Sequence, residues 1–133
     1  MIVHDDLNPE IRFQIPATKL KAILRLLKEN KEDEIKEMKN KIHKYEQKKK
    51  AEESFYRSLS PVRKFFTGRP PNHHQAVEYM VHVKERLKHI DQIKQQISEL
   101  NNAIQHLEGK SVEQGMALPG TIINDVKIQR KDT

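Results

Sequence analysis

Apolar residues along this chain repeat with two periods, and the change from one to the other marks out the elements. From Ala17 to Leu59 there is neither Pro nor Gly, and Leu20, Ile23, Leu24 and Leu27 recur at helical spacing. Ile35, Met38, Ile42 and Tyr45 follow at intervals of 3, 4 and 3, which is a heptad seam. Extended further, the seam meets Lys49, Glu52, Tyr56 and Leu59, so residues 46–54 have little apolar surface to bury. The intervening residues are mostly Lys, Glu, Gln and Arg, all favourable in helices. The pattern predicts one helix over 17–59, about 60 Å long at a rise of about 1.5 Å per residue.

Ser60, Pro61, Gly68, Pro70 and Pro71 interrupt that pattern, and Pro61 suits the first turn of a short helical piece ending at Gly68. Asn72 and Gln75 have capping-box form, and no Pro or Gly follows until Gly109, which predicts a second helix over 73–108. Its seam reads Ala76, Met80, Val83, Leu87 and Ile90, then Ile93, Ile97, Leu100, Ile104 and Leu107 after a one-step phase change of the stammer kind. Outside the helices the period becomes two. Ile11, Phe13 and Ile15 alternate with Arg12 and Gln14, and Val126 and Ile128 alternate with Lys127 and Gln129, so a strand is expected near each terminus. Gly115, Pro119 and Gly120 supply the turns before the second strand.

Two helices of matched length joined by a short connection bury each other's stripe by folding back. The expected fold is therefore mainly α: a long, antiparallel, coiled-coil-like helical hairpin with short β-strands near both termini. Its segments form a single domain over 1–133, with an N-terminal strand segment (1–16), helix one (17–59), a turn (60–72), helix two (73–108) and a C-terminal loop and strand (109–133). One facing seam buries too little to offset the chain entropy of about 1–2 kcal/mol per residue. Self-association into a dimeric or larger helical bundle is expected, with Val77 and Val81 widening the apolar face of helix two for a second neighbour.

Composition narrows the chemistry. Only 35% of residues are hydrophobic and 33% are charged, so the core is thin and spread along seams. The absence of Cys excludes disulfides and thiolate metal sites. No apolar run is long enough for a membrane span, and Asp5, Asp6 and Glu10 stand where a signal peptide would be basic and then apolar, so a cytoplasmic location is expected. No nucleophile elbow, P-loop or dinucleotide fingerprint occurs, which points away from an enzyme and from a bound cofactor.

The net charge of +6 is unevenly placed, because residues 38–70 alone hold 10 basic residues against 3 acids. The candidate binding residues are Lys48, Lys49, Lys50, Arg57, Arg63, Lys64, Phe65, Phe66, Arg69 and His73. Cationic groups beside aromatic rings suit an acidic protein surface, and equally a nucleic acid or a phosphorylated ligand. Glu29, Glu32, Asp33, Glu34 and Glu37 form an acidic counterpart through which a second copy can dock. His74, Glu78, His82, Glu85 and His89 share one helical stripe, and His74, Glu78, His82 and His89 are the candidate metal ligands. That stripe is expected to lie opposite the seam, facing water without supporting partners, so no metal site is assigned.

The order helix, Phe66-Thr67-Gly68, helix resembles the WXG100-type helical hairpins of specialised secretion systems, with Phe in the place of Trp. The resemblance covers the hairpin alone and implies a secretion-associated role. The family's Y-x-x-x-D/E signal is absent after Tyr45, Tyr56 and Tyr79.

Overall fold

The computed structural model describes residues 1–60, 62–63, 77–109 and 115–132, which are mainly helical with one three-stranded sheet. In chain order these are β1 (Ile2–Asp5), β2 (Arg12–Gln14), α1 (Ala17–Ser58), a π-helical turn (Met80–Lys84) leading into α2 (Glu85–Glu108), β3 (Met116–Leu118) and α3 (Gly120–Asp132). They group into two compact units. The terminal unit comprises Met1–Asp33 and Ile93–Thr133, and the middle unit Glu34–Gln92.

In the terminal unit β1 is the central strand, antiparallel to β2 with Val3 opposite Phe13 and parallel to β3 with Val3 opposite Met116. The Asp5 carboxylate accepts the Leu7 and Asn8 amides at 2.9 and 3.4 Å, an Asx-type turn that reverses the chain towards β2. Pro16 ends the extended segment, and its carbonyl accepts the Leu20 amide at 3.0 Å to begin α1. Val3 and Ile15 of the sheet segment, Leu20 and Leu24 of α1, Leu100 of α2, and Ile122, Ile123 and Val126 of α3 are all buried in one core. Each such aliphatic side chain contributes about 1.5–3 kcal/mol of transfer free energy.

Within this unit α1 and α2 run antiparallel. Lys21 and Arg25 reach Glu108 at 3.2 and 3.0 Å, and Lys31 donates to Gln96 at 2.9 Å. Lys31 takes the seam position between Leu27 and Ile35. Its side chain is only 15% exposed, and it also meets Asp125 of α3 at 3.6 Å, so its donors are matched as its stem is covered.

The expected strand at 126–129 is corrected. Val126 is fully buried whereas Ile128 is 61% exposed, the reverse of what alternation requires, and both lie in α3. Ile122, Ile123 and Val126 follow helical spacing, and the Pro119 carbonyl accepts the Ile123 amide at 3.0 Å to start the helix. The C-terminal strand is Met116–Leu118, buried at both ends and exposed at Ala117. β1 had not been expected, because Ile-Val-His-Asp is too short to show a period.

In the middle unit the positions spaced by 3 and 4 along α1 are covered as far as Lys49, beyond which Glu52 is exposed. Ile35 and Ile42 are buried, Met38, Tyr45, Lys49 and Tyr56 are half-buried, and Val83 and Ile90 are buried on the facing helix. Met80 and Leu87, expected in the seam, are instead 46% and 47% exposed. The π-helical turn accounts for this. The Glu85 amide bonds the Met80 carbonyl, and the extra residue in that turn rotates the register by about 100° relative to an uninterrupted α-helix.

Candidate functional site: a basic cleft in the middle unit

Lys41, Lys44, Tyr45, Lys48, Lys49 and Glu52 lie at spacings of 3, 1, 3, 1 and 3 along α1, so they share one helical face. Glu78, His82 and Arg86, each four residues apart, come from the facing helix, and the two sets enclose a cleft of about 550 Å3. The Tyr45 and His82 rings stack with centroids 4.7 Å apart and planes 13° from parallel. Further along, Lys49 meets Glu78 at 3.5 Å. Tyr45 pairs with 82 and Lys49 with 78, so within this unit the helices again run antiparallel.

The electrostatics of the cleft are one-sided. Lys49 is matched by Glu78, and Lys41 leans to Glu37 at 3.6 Å. Arg86 donates to the His82 backbone carbonyl at 3.4 Å, and no carboxylate lies against its guanidinium among the described residues. Lys44 and Lys48 make no ion pair among the described residues. The Tyr45 hydroxyl is buried and has no hydrogen-bond partner among the described residues. Residues 34–92 hold 14 Lys and Arg against 8 Asp and Glu, and the rest of the chain holds 11 against 11, so the whole net charge of +6 resides in this unit.

The sequence-derived candidates are distributed as follows. Lys48, Lys50 and Arg57 are exposed on α1, and Lys49 lies in the cleft paired with Glu78. Arg63 is exposed, and its amide donates to the Ser60 hydroxyl at 3.3 Å, a capping contact at the start of the helical residues 62–63. Lys64, Phe65, Phe66, Arg69, His73 and His74 lie outside the described residues, as do the Phe66-Thr67-Gly68 turn and the short helical piece to Gly68.

The histidine stripe does not face water as a row. Glu78 and His82 are half-buried against α1, while Glu85 and His89 are exposed. With Glu78 on Lys49 and His82 on Tyr45, no group of three metal-ligating side chains forms among the described residues.

Sequence reasoning missed Lys41, Lys44, Tyr45, His82 and Arg86 as members of one site. The α1 residues were detectable from their shared face. Nothing in the sequence marked the π-helical turn that brings in His82 and Arg86. In the terminal unit a shallower hollow of about 370 Å3 lies beside β3, lined by Ala103, His106, Met116 and Leu118 among others. No described helix is long and apolar enough to cross a membrane. The chain matches no family model, and no curated protein or solved structure is significantly similar to it.

Proposed function

We propose that the protein is a non-enzymatic interaction protein whose middle unit docks an acidic partner. The observation that supports this most is the confinement of the entire +6 net charge to residues 34–92, with Lys48, Lys50 and Arg57 exposed along α1. A surface of one sign raises the encounter rate with an opposite partner and fixes its orientation more than it adds affinity. The test is binding of the full chain to an immobilised polyglutamate, compared with the triple variant Lys48→Glu, Lys50→Glu and Arg57→Glu. The expected result is salt-sensitive binding that the variant loses while its melting temperature stays unchanged. Binding that survives the reversal, or that ignores salt, refutes the reading.

A second reading, homo-oligomerisation, is favoured by Val77, Met80, Val81 and Leu87, all 46–50% exposed on the helix facing α1. Two copies of a unit with this net charge repel, so association through that row strengthens as salt rises. Sedimentation equilibrium at low and high salt, with Leu87→Glu as control, tests it.

A further inference from the structure

We infer that the hollow between α2 and the open edge of β3 is a binding groove for an extended peptide segment of a partner protein, which pairs its backbone with Ala117 and sets a basic side chain on Glu99. This goes beyond docking of an acidic partner and does not depend on it, since the groove lies in the terminal unit and the docking surface in the middle unit.

β3 pairs with β1 on one side only, so its other edge is open. The ladder is parallel, with His4 opposite Ala117 and Asp5 opposite Leu118, and the Asp6 amide donates to the Leu118 carbonyl at 3.0 Å. Alternate residues of a parallel strand turn their backbone groups to the same neighbour, so Met116 and Leu118 bond β1 while Ala117 turns its N–H and C=O to the open edge. Neither group has a hydrogen-bond partner among the described residues. Ala117 is exposed, and Pro119, which has no N–H, closes the edge on its C-terminal side. Such an edge is a template for a further strand, and one residue of an antiparallel peptide exchanges both bonds with Ala117.

Across the hollow Glu99, Asn102, Ala103 and His106 follow at intervals of 3, 1 and 3, so they form one face of α2. A hollow bounded on its far side by a helix admits one extended strand and not the folded edge of a second copy, which decides the occupant. From Glu99 to His106 the helix rises about 10 Å at about 1.5 Å per residue, the length of about three residues of extended chain at about 3.3 Å each. The volume of about 370 Å3 suits a segment of that size, and the small side chain of Ala103 keeps the middle of the helix face low. Glu99 is half-buried, is the one carboxylate of the lining, and makes no ion pair among the described residues. The terminal unit holds 11 basic and 11 acidic residues, so its net charge repels a peptide of neither sign and the choice falls to Glu99. A carboxylate at one end of the groove calls for Lys or Arg on the peptide, and the planar fork of Arg matches it best.

The test is fluorescence anisotropy of the full chain with a fluorescein-tagged, end-blocked hexapeptide of valine and threonine bearing one arginine. The same peptide with norleucine in place of arginine is expected to bind about tenfold more weakly, as loss of a hydrogen bond to a charged group implies. Glu99→Gln should remove that preference and leave the affinity for the norleucine peptide unchanged. N-methylation of the alternate peptide amides along one edge should abolish binding, and methylation along the other edge should leave it intact, because only one edge faces Ala117. Amide hydrogen exchange at Ala117 should slow at saturation. The Lys48→Glu, Lys50→Glu, Arg57→Glu variant should bind the arginine peptide as the parent does even where polyglutamate binding is lost, which separates failure of this groove from failure of the docking surface. Absence of saturation up to about 1 mM, equal affinity for the arginine and norleucine peptides, full binding by both methylated peptides, or unchanged exchange at Ala117 overturns the inference. A dimer that protects Ala117 without peptide also overturns it, in favour of a second copy on that edge.

Discussion

Gly115 is the residue where the terminal unit is least able to accept a side chain. Its φ is +84°, a conformation that costs an L-residue about 1–2 kcal/mol, partly offset by the smaller unfolded-state entropy of Ala, about 0.4–1 kcal/mol. A methyl group there would also stand 2.5 Å from the carbonyl oxygen of Ile2, nearly 1 Å inside ordinary contact. That oxygen belongs to the backbone of β1, so relief requires moving the start of the β1–β3 ladder rather than turning a side chain. Loss of one ladder hydrogen bond adds about 0.5–1.5 kcal/mol. These terms put the cost of Gly115→Ala at about 0.5–3 kcal/mol, centred near about 2 kcal/mol. Gly120→Ala is the control: its methyl meets only the Asp5 carboxylate, at 2.9 Å, and it opens α3, where Ala is favoured over Gly. Urea unfolding followed by circular dichroism should place Gly120→Ala above Gly115→Ala, by about 2 kcal/mol at the centre of that range, with similar slopes. Equal stabilities in the two variants, or a Gly115→Ala protein as stable as the parent, refute the reasoning.

Leu24 is fully buried in the terminal core, and Leu24→Ala should cost about 2–5 kcal/mol in the same assay, against a near-neutral Leu26→Ala at an exposed position of the same helix. Tyr45→Phe should leave the protein as stable or up to about 1 kcal/mol more stable, because the hydroxyl it removes is buried with no partner among the described residues. Glu108 has its carboxyl held below the ordinary range, first by the hydrogen bond from Lys21 and its charge, with Arg25 adding and desolvation opposing. A depressed folded-state value means its contribution is present above the unfolded value and is lost as pH falls through the folded one. The stability gap between the parent and Glu108→Gln should therefore be full at neutral pH and close on acidification; a gap that widens in acid contradicts the pairing.

The parts of the fold readable in the sequence are those fixed by local period. The expected start of helix one at Ala17 is met, and its end differs by one residue, because Pro16 and Ser60 punctuate a run without Pro or Gly. The end of helix two at Glu108 was readable from Gly109 in the same way. Of the seam positions expected on α1, Ile35 and Ile42 are buried and Met38, Tyr45, Lys49 and Tyr56 half-buried, whereas Glu52 is exposed. What failed was context. Val-Lys-Ile-Gln is too short to decide between periods, and the deciding residues, Ile122 and Ile123, lie upstream, where only a helix buries them with Val126.

The cleft failed to appear in the sequence for a related reason. Periodic reasoning carries phase forward by 100° per residue, and the π-helical turn at Met80–Lys84 breaks that phase without a Gly, a Pro or a polar run to announce it. With unbroken phase, Met80 and Leu87 face α1 and the His82 stripe faces water. With the turn present, the apolar pair is exposed and a histidine, an arginine and a glutamate face Tyr45 and the lysines. The exchange replaces two apolar seam contacts by a ring stack, one ion pair and an unpartnered phenol, which is a poor bargain for packing alone. Amide hydrogen exchange at Val83–Arg86 should therefore be faster than at Ile97–Leu100 further along the same helix, and equal protection in the two stretches would contradict this account of the turn.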